Sequence, residues 1–208
     1  NRARLTDDLN AVIMRCSRSR RQTAFLMVAI NNLPMVNETF GHKVGDEVIG
    51  AVANAIKGKL RGGDTLGRYS VDTFGIILND CGPDAMQIAA DRFMRSVRDL
   101  AIRASGVQVQ ATVSIGGVVL LDHAHTVHQA LSCARQALDN AKQTRLDGFT
   151  AYEANSTVER TRQRNVAIVD EVIAALEAGR MRLALQPMIG SRSGKAEIYE
   201  CLLRMERS

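Results

Sequence analysis

Apolar residues recur at helical spacing from Arg4 to Ser19, and a continuous apolar run from Thr23 to Ile30 follows. The first pattern predicts an amphipathic helix, and the second predicts a strand that is buried on both faces. The same helical spacing returns in three later segments, which are 45–60, 83–98 and 127–144. Gly62 and Gly63 follow the first of these segments and are expected to cap its C-terminus.

Most of the remaining apolar segments are interpreted as strands. Leu66–Tyr69 and Phe74–Leu78 predict a hairpin, Gly106–Leu120 predicts one long strand, and Phe149–Tyr152 predicts a brief final strand. Pro34–Phe40 is short and mixed in character, and the order of elements counts it as a helix. The order of elements predicts an α+β sandwich in which helices pack on a mostly antiparallel sheet.

The character of the chain changes after Tyr152. Residues 153–165 are polar and rich in arginine, and we interpret them as a linker with a helical pattern. A helix from Val166 to Glu177, ended by Gly179, precedes two strands that are joined by a GSRSG connection. Because one helix and one hairpin cannot bury a core alone, this segment either docks on the first domain or begins a second one.

Composition narrows the class of protein. The chain has 208 residues, 46% hydrophobic and 24% charged, with a net charge of +5. Aromatic residues make up only 4%, and no motif that reads a nucleic-acid groove is visible, so we expect no nucleic-acid partner. No apolar run approaches the roughly 20 residues that cross a bilayer. We therefore expect a cytoplasmic fragment without membrane contact, with four reduced cysteines, although a parent protein could be tethered upstream.

Several motifs in the first 152 residues carry a family resemblance. They are VNETFGHKVGDEVIGAVANAIKGKL (36–60), RYSVDTFGIIL (68–78), TVSIGG (112–117) and ARQALDNAK (134–142). Together they resemble the GGDEF family of diguanylate cyclases, which join two GTP molecules into cyclic di-GMP. The resemblance implies a ferredoxin-like, palm-type fold over residues 1–152, with a central, mostly antiparallel sheet flanked by helices.

Residues 166–208 resemble the beginning of an EAL domain, the family that hydrolyses cyclic di-GMP. RMRLALQPMI looks like the first strand of that family, and YECLLRM stands where its Glu-Ala-Leu would be. The resemblance makes Glu200 a metal ligand and Gln186 and Arg204 substrate contacts, but only within a complete EAL domain.

The cyclase site departs from the family pattern. The resemblance places a metal-binding Asp at position 29 and a phosphate-binding Lys at position 34, where this chain has Ala29 and Pro34, and it places an Arg at Leu146. The signature stretch reads Ser70, Val71, Asp72, Thr73 and Phe74. Asp72 matches an acidic metal ligand, yet a role in the hairpin turn is favoured, and the stretch is expected to be non-catalytic.

Other family contacts remain possible. Asn37 and Asp46 match the residues that bind the guanine base, and Lys142 matches a phosphate contact. The alternative is structural, with Asn37 capping a turn and Asp46 serving as a first-turn acid of the following helix.

Arg61 and Asp64 match the family's RxxD motif, which binds the product cyclic di-GMP at an inhibitory site, and Arg92 matches a second arginine of that site. Guanidinium groups pair with phosphate and an Asp accepts from guanine, so the chemistry is consistent. The alternative is that Arg61 is a helix-end charge and Asp64 a turn residue.

The leading hypothesis is an inactive GGDEF domain that regulates an EAL domain and binds cyclic di-GMP at the RxxD site. A second hypothesis is that the intact parent is a cyclic di-GMP phosphodiesterase activated by GTP bound to the GGDEF domain. A third is a ligand-free module for homodimerisation or partner binding. No cofactor is certain, and Mg²⁺ or Mn²⁺ is implied only by residual nucleotide chemistry.

Overall fold

The central strand of the first domain, β1 (Ala24–Ile30), is buried along its whole length. It pairs antiparallel with β3 (Thr73–Leu78) on one side and with β6 (Val113–Val119) on the other. Strands β2 (Thr65–Arg68) and β7 (Phe149–Ala151) form the edges, so the sheet has the order β2-β3-β1-β6-β7. Among the described strand pairs of this sheet, β6–β7 alone is parallel. The predicted α+β sandwich with a mostly antiparallel sheet is therefore confirmed.

A computed structural model describes residues 1–19, 21–144, 147–154, 171–189 and 196–206. It divides into two compact units, Asn1–Glu153 and Ala154–Ser208. The expected linker after residue 154, the start of the helix at 166–170, the GSRSG connection and Leu146 lie outside the described residues. No helix in the described ranges is long and apolar enough to cross a membrane.

The elements of the first unit follow one another as five helices and seven strands. They are α1 (Arg2–Ser19), β1 (Ala24–Ile30), α2 (Leu33–Phe40), α3 (His42–Lys57), β2 (Thr65–Arg68), β3 (Thr73–Leu78), α4 (Pro83–Arg98), β4 (Ile102–Ala104), β5 (Val107–Val109), β6 (Val113–Val119), α5 (Val127–Thr144) and β7 (Phe149–Ala151). The second unit contains helix α6, described over 171–177, and the hairpin of β8 (Met181–Ile189) and β9 (Ala196–Met205).

Two apolar layers cover the two faces of the sheet, because alternate side chains of β1 point to opposite sides. Leu26, Val28 and Ile30 pack in the cluster formed with α2, α3 and α4. Phe25, Met27 and Ala29 pack in the cluster formed with α1 and α5.

The short segment 33–40 is a helix, as the predicted order of elements has it, with Pro34 in its first turn, where the missing N–H costs nothing. Two details of the predicted elements are wrong. Gly62 and Gly63 do not cap α3, because that helix ends at Lys57 with Gly58 as its cap. Gly106–Leu120 is not one strand, because the chain first forms a separate hairpin of β4 and β5 before β6 begins at Val113.

Helix α3 also begins earlier than the sequence pattern suggests. Gly41, with φ of +84°, separates it from α2, and its N–H donates to the Asn37 carbonyl at 2.9 Å. This backbone conformation is accessible to glycine at little cost, so the chain can turn between two consecutive helices there. Asp46 therefore lies in the second turn of α3, and its interpretation as a first-turn acid is wrong.

Gly116 of β6 sets how closely α5 approaches the sheet. A Cβ at this position would lie 2.1 Å from the Leu138 backbone nitrogen and 2.4 Å from the Ala134 carbonyl oxygen. Both obstacles are backbone atoms, so the helix itself would have to move.

We expect Gly116→Ala to lower the free energy of unfolding by about 3 kcal/mol, because overpacking against backbone is severe. Gly50→Ala is the matched control, since nothing lies within 4 Å of its added Cβ on α3 and Ala favours helix. Urea denaturation of both variants measures the difference. Equal effects would contradict the packing assigned to Gly116.

The β4–β5 turn is fastened to α3 by one carboxylate. Glu47 accepts hydrogen bonds from the Ser105 backbone N–H at 2.7 Å and from the Ser105 hydroxyl at 2.8 Å. These bonds stabilise the ionised form, the hydroxyl bond most, and lower the pKa of Glu47. The turn residues Ser105 and Gly106 both have positive φ.

Because the folded-state pKa of Glu47 is lowered, its contribution to stability is present above the unfolded pKa and is lost as the pH falls through the folded pKa. We expect Glu47→Ala to lower the melting temperature at pH 7 and to differ much less from the wild type near pH 3. Thermal unfolding across this range, with Glu38→Ala as an exposed control on α2, measures the change. A pH-independent difference would rule out the ionised carboxylate as its source.

Candidate functional site

The turn between β2 and β3 is closed by its own hydrogen bonds. The N–H groups of Tyr69 and Ser70 both donate to the Thr73 carbonyl, at 2.9 and 3.0 Å. The Arg68 guanidinium donates to the carbonyls of Ser70 and Val71, at 3.1 and 2.9 Å. The carbonyls of Ser70, Val71 and Thr73 therefore find partners within the hairpin.

Asp72 is held inside this turn. One carboxylate oxygen, Oδ1, accepts from the Ser70 hydroxyl at 3.0 Å and from the Thr73 hydroxyl at 2.9 Å. Its backbone carbonyl accepts from the N–H of Ile30, the last residue of β1, at 2.9 Å. These contacts hold both the side chain and the backbone of Asp72 within the hairpin turn.

A neutral network occupies the end of β1. Ala29 is fully buried and pairs with Thr73 and Ser114 of the neighbouring strands. Two residues later, Asn31 donates to the Thr112 hydroxyl at 3.0 Å and accepts from the Ser114 hydroxyl at 2.8 Å. Sequence reasoning missed this network, because its members lie about eighty positions apart.

The residues at this position do not fit a divalent metal ion. Mg²⁺ is normally held by carboxylates together with phosphate oxygens and water. Here Ala29 offers only a methyl group, Asn31 has both amide groups engaged, and Asp72 is the one carboxylate in the turn. Among the described residues, no three His, Cys, Asp or Glu side chains come together as a metal site.

Asn37 lies directly over Gly45, where two consecutive helices meet. A Cβ at Gly45 would fall 1.8 Å from the Asn37 Oδ1 atom, so a larger residue there would displace the Asn37 side chain from this position. Oδ1 is buried and has no hydrogen-bond partner among the described residues. Asn37 lies within α2 and its side chain caps no turn, so the structural explanation of this residue is wrong.

The other two candidates for nucleotide contacts are on separate elements. Asp46 is exposed and lies one residue beyond Gly45 on α3. Lys142 lies in the last turn of α5 and is half-buried. Asn37 and Asp46 therefore both lie at the junction of α2 and α3. No described contact joins Lys142 to this junction.

Arg61, Asp64 and Arg92 line one recess at the opposite end of the β2–β3 hairpin. The recess has a volume of about 90 Å³, and Asn79, Cys81 and Ile88 also line it. Arg61 is exposed and makes no ion pair or hydrogen bond through its side chain with any described residue. The recess is smaller than pockets that enclose a whole small molecule, so it can hold one part of a larger ligand.

The carboxylate of Asp64 is fixed by backbone groups. Oδ2 accepts from the Arg61 N–H at 3.0 Å and Oδ1 accepts from the Asn79 N–H at 3.1 Å. A carboxylate oxygen has two lone pairs, so each can accept one further bond. Arg61 lies beyond the end of α3, so its interpretation as a helix-end charge is wrong, whereas Asp64 is indeed a turn residue.

The charges of the recess act on Cys81. Burial raises the pKa of this thiol to about 11, and the Asp64 carboxylate adds to the rise while Arg61 and Arg92 oppose it. Arg92 also holds its Nε atom buried without a partner among the described residues. The charges of Arg61, Arg92 and Asp64 therefore all act on the Cys81 thiol within this recess.

The three candidate residues of the second unit share one face of the β8–β9 hairpin. Gln186 of β8 lies directly opposite Glu200 of β9. Arg204, four positions after Glu200 on β9, lies opposite Arg182 of β8. Side chains along a strand alternate between its two faces, so Glu200 and Arg204 lie on the same side of the hairpin. All three residues are exposed.

Comparison with known proteins agrees with this fold. The model of the family "Diguanylate cyclase, GGDEF domain" matches residues 1–147. The isolated GGDEF domain of TpbB from Pseudomonas aeruginosa is 28% identical, with a TM-score of 0.73 over 77% of this chain and 94% of that one. The GGDEF domain of DgcB from Caulobacter crescentus, solved in complex with c-di-GMP, is 21% identical with a TM-score of 0.69, covering 74% of this chain and 91% of that one.

The fold and the family match define a domain of cyclic di-GMP signalling. The chain belongs to the GGDEF family. A full-length relative, the bifunctional diguanylate cyclase/cyclic di-GMP phosphodiesterase MucR from Pseudomonas aeruginosa, is 26% identical over 206 residues, which is 99% of this chain and 30% of that protein. The chain thus spans less than a third of the length of this relative.

We expect Asp72→Ala to lower the free energy of unfolding by about 1–2 kcal/mol, because two hydroxyl groups lose their common acceptor. Asp139→Ala, an exposed change on α5, is the control and should have little effect. Urea denaturation with and without millimolar Mg²⁺ or Mn²⁺ provides the measurement. A metal-dependent rise in stability that is lost in Asp72→Ala would show instead that Asp72 binds metal.

Proposed function

We propose that this chain is a non-catalytic GGDEF domain that regulates a cyclic di-GMP signalling protein. The observation that carries this proposal is the closed turn at 69–73, which faces a strand end without a carboxylate. Phosphoryl transfer needs metal ions that neutralise the triphosphate and a defined position for the attacking oxygen. The Asp72 carboxylate, which already accepts hydrogen bonds from two hydroxyl groups, neither holds the metal ions nor positions the attacking oxygen.

We further propose that the recess of Arg61, Asp64 and Arg92 binds cyclic di-GMP. Arg61 offers an unengaged guanidinium, which can form paired hydrogen bonds with a phosphate or with the acceptor edge of guanine. Asp64 retains lone pairs for the N1 and N2 donors of guanine. With a volume of about 90 Å³, the recess can enclose one part of the dinucleotide while the rest lies on the protein surface.

The second unit supports the proposal of an attached EAL domain. Its hairpin exposes several large apolar side chains, among them Leu183, Leu185 and Leu203. A two-stranded hairpin with such a face needs further polypeptide to become stable. The match to MucR, whose name includes phosphodiesterase activity, extends over this segment. In a complete EAL domain, Glu200 would hold metal, and Gln186 and Arg204 would contact substrate.

Guanine binding at the junction of α2 and α3 is a second candidate. The buried Asn37 oxygen without a partner favours it, because buried polar atoms are normally hydrogen-bonded and a base could supply the donor. GTP bound through Asn37 and Asp46 would then activate a phosphodiesterase in the intact parent. Phosphate contacts would be weak, because Pro34 has no positive charge and Lys142 is the one matching cation.

Calorimetric titration of the chain with cyclic di-GMP and, separately, with GTP and Mg²⁺ tests these proposals. We expect cyclic di-GMP to bind the wild type, and Arg61→Ala to weaken binding about tenfold or more, because a charge-assisted pair is lost. Arg103→Ala, an exposed arginine on β4, should bind as the wild type does.

Asn37→Ala separates the two candidate sites. It should leave cyclic di-GMP binding unchanged and abolish any GTP binding. If neither nucleotide binds, the sensor proposal fails and the domain is a ligand-free module for dimerisation or partner binding. Equal effects of Arg61→Ala and Arg103→Ala would also contradict the assigned recess.

A further inference from the structure

Asn79, directly after β3, uses all of its side-chain polar groups to connect two parts of the first unit. Its Nδ2 donates to the carbonyl of Gly63, and its Oδ1 accepts from the Arg15 guanidinium of α1 at 2.9 Å. Its backbone N–H donates to Asp64 Oδ1 at 3.1 Å. One residue therefore contacts the turn that carries Asp64 and the helix that precedes β1.

The turn held by Asn79 depends on this support. Gly63 has φ of +95°, and the Asp64 N–H donates back to the Arg61 carbonyl at 3.1 Å. Apart from this bond and the one from the Arg61 N–H to Asp64 Oδ2, the described hydrogen bonds of residues 61–64 come from Asn79. Because Asp64 and Arg61 lie on the same short turn, a shift of the Gly63 carbonyl moves both residues.

Helix α1 is attached to the same corner by a second, independent contact nearby. Arg21, shortly after α1, pairs with Asp80 at 3.2 Å, but neither side chain has a described hydrogen bond to Gly63 or Asp64. Both of its side chains are largely exposed, so it contributes little stability. Arg15 is thus distinguished from Arg21 by its contact with the residue that fixes the turn.

We propose that Asn79 is the positioning residue of the Arg61–Asp64–Arg92 recess and that Arg15 couples helix α1 to this recess through Asn79. The proposal deepens the proposed binding of cyclic di-GMP and rests on it for the ligand. Rotation or displacement of α1 would pull on Asn79 Oδ1, and ligand bound at Asp64 would in turn favour the α1 position that keeps the Arg15 contact. Such coupling is reciprocal by linkage.

The first experiment needs no ligand, because Cys81 lines the recess and reports its opening. We expect Asn79→Ala to raise the rate of maleimide labelling of Cys81 about tenfold, measured by peptide mass spectrometry, and Arg15→Gln to raise it less. Arg15→Gln should have no further effect in the Asn79→Ala background. Arg21→Gln, the matched control, should label as the wild type does.

The second experiment titrates the same four variants and the wild type with cyclic di-GMP. We expect Asn79→Ala to weaken binding about fivefold to tenfold, since the side-chain bond to the Gly63 carbonyl and the bond from Arg15 are both lost. We expect Arg15→Gln to weaken it about twofold to threefold. The double variant should match Asn79→Ala.

The outcomes separate the two proposals. Unchanged Cys81 labelling in Asn79→Ala overturns the positioning role, whatever the ligand does. Additive effects of Arg15→Gln and Asn79→Ala overturn the coupling through Asn79. If labelling responds as expected but the wild type binds no cyclic di-GMP, the positioning of the recess stands and the proposed ligand is wrong.

Discussion

The arrangement of the first domain depends on the burial of β1. All seven residues of this strand are buried, and it is hydrogen-bonded to a neighbouring strand on each side. Its alternate side chains form the centre of both apolar layers, so removing it would separate the helices on the two faces of the sheet. The end of β1 fixes the β2–β3 turn through the bond from Ile30 to the Asp72 carbonyl.

The β2–β3 hairpin has two ends of different chemical character. At the turn, the carbonyls and the Asp72 carboxylate accept from Arg68, Ser70 and Thr73. At the open end, Asp64 is fixed by backbone N–H groups while the Arg61 guanidinium remains unengaged. The first end is stabilised without a ligand, whereas the second presents charge to solvent. This contrast supports loss of chemistry at one end and binding at the other.

Long elements with regular periodicity were predictable from sequence. Helices α4 and α5 match the predicted ranges, because their apolar faces repeat without interruption. The start of α3 was not predictable, because Gly41 and Gly45 look alike in sequence although the first ends a helix and the second lies within one. The β4–β5 hairpin was missed, since its turn at Ser105 is fixed by Glu47, 58 positions away.

The candidate site was predictable only as a set of positions. The family resemblance assigned Arg61, Asp64 and Arg92 to one binding site, and the structure places all three at one recess. The contacts that hold Asp64 and Asp72 could not be inferred, because Asn79 and Ile30 are distant in sequence from their partners. Ligand binding at the recess of Arg61, Asp64 and Arg92 and the loss of catalysis at the turn of Asp72 stay predictions.

An assay of product formation tests whether this domain has lost cyclase chemistry. The chain is incubated with GTP and either Mg²⁺ or Mn²⁺, and cyclic di-GMP is quantified by chromatography. We expect no product above a protein-free sample, because the strand end lacks a carboxylate and Asp72 is engaged in its turn. Formation of cyclic di-GMP that disappears in Asp72→Asn would contradict the account.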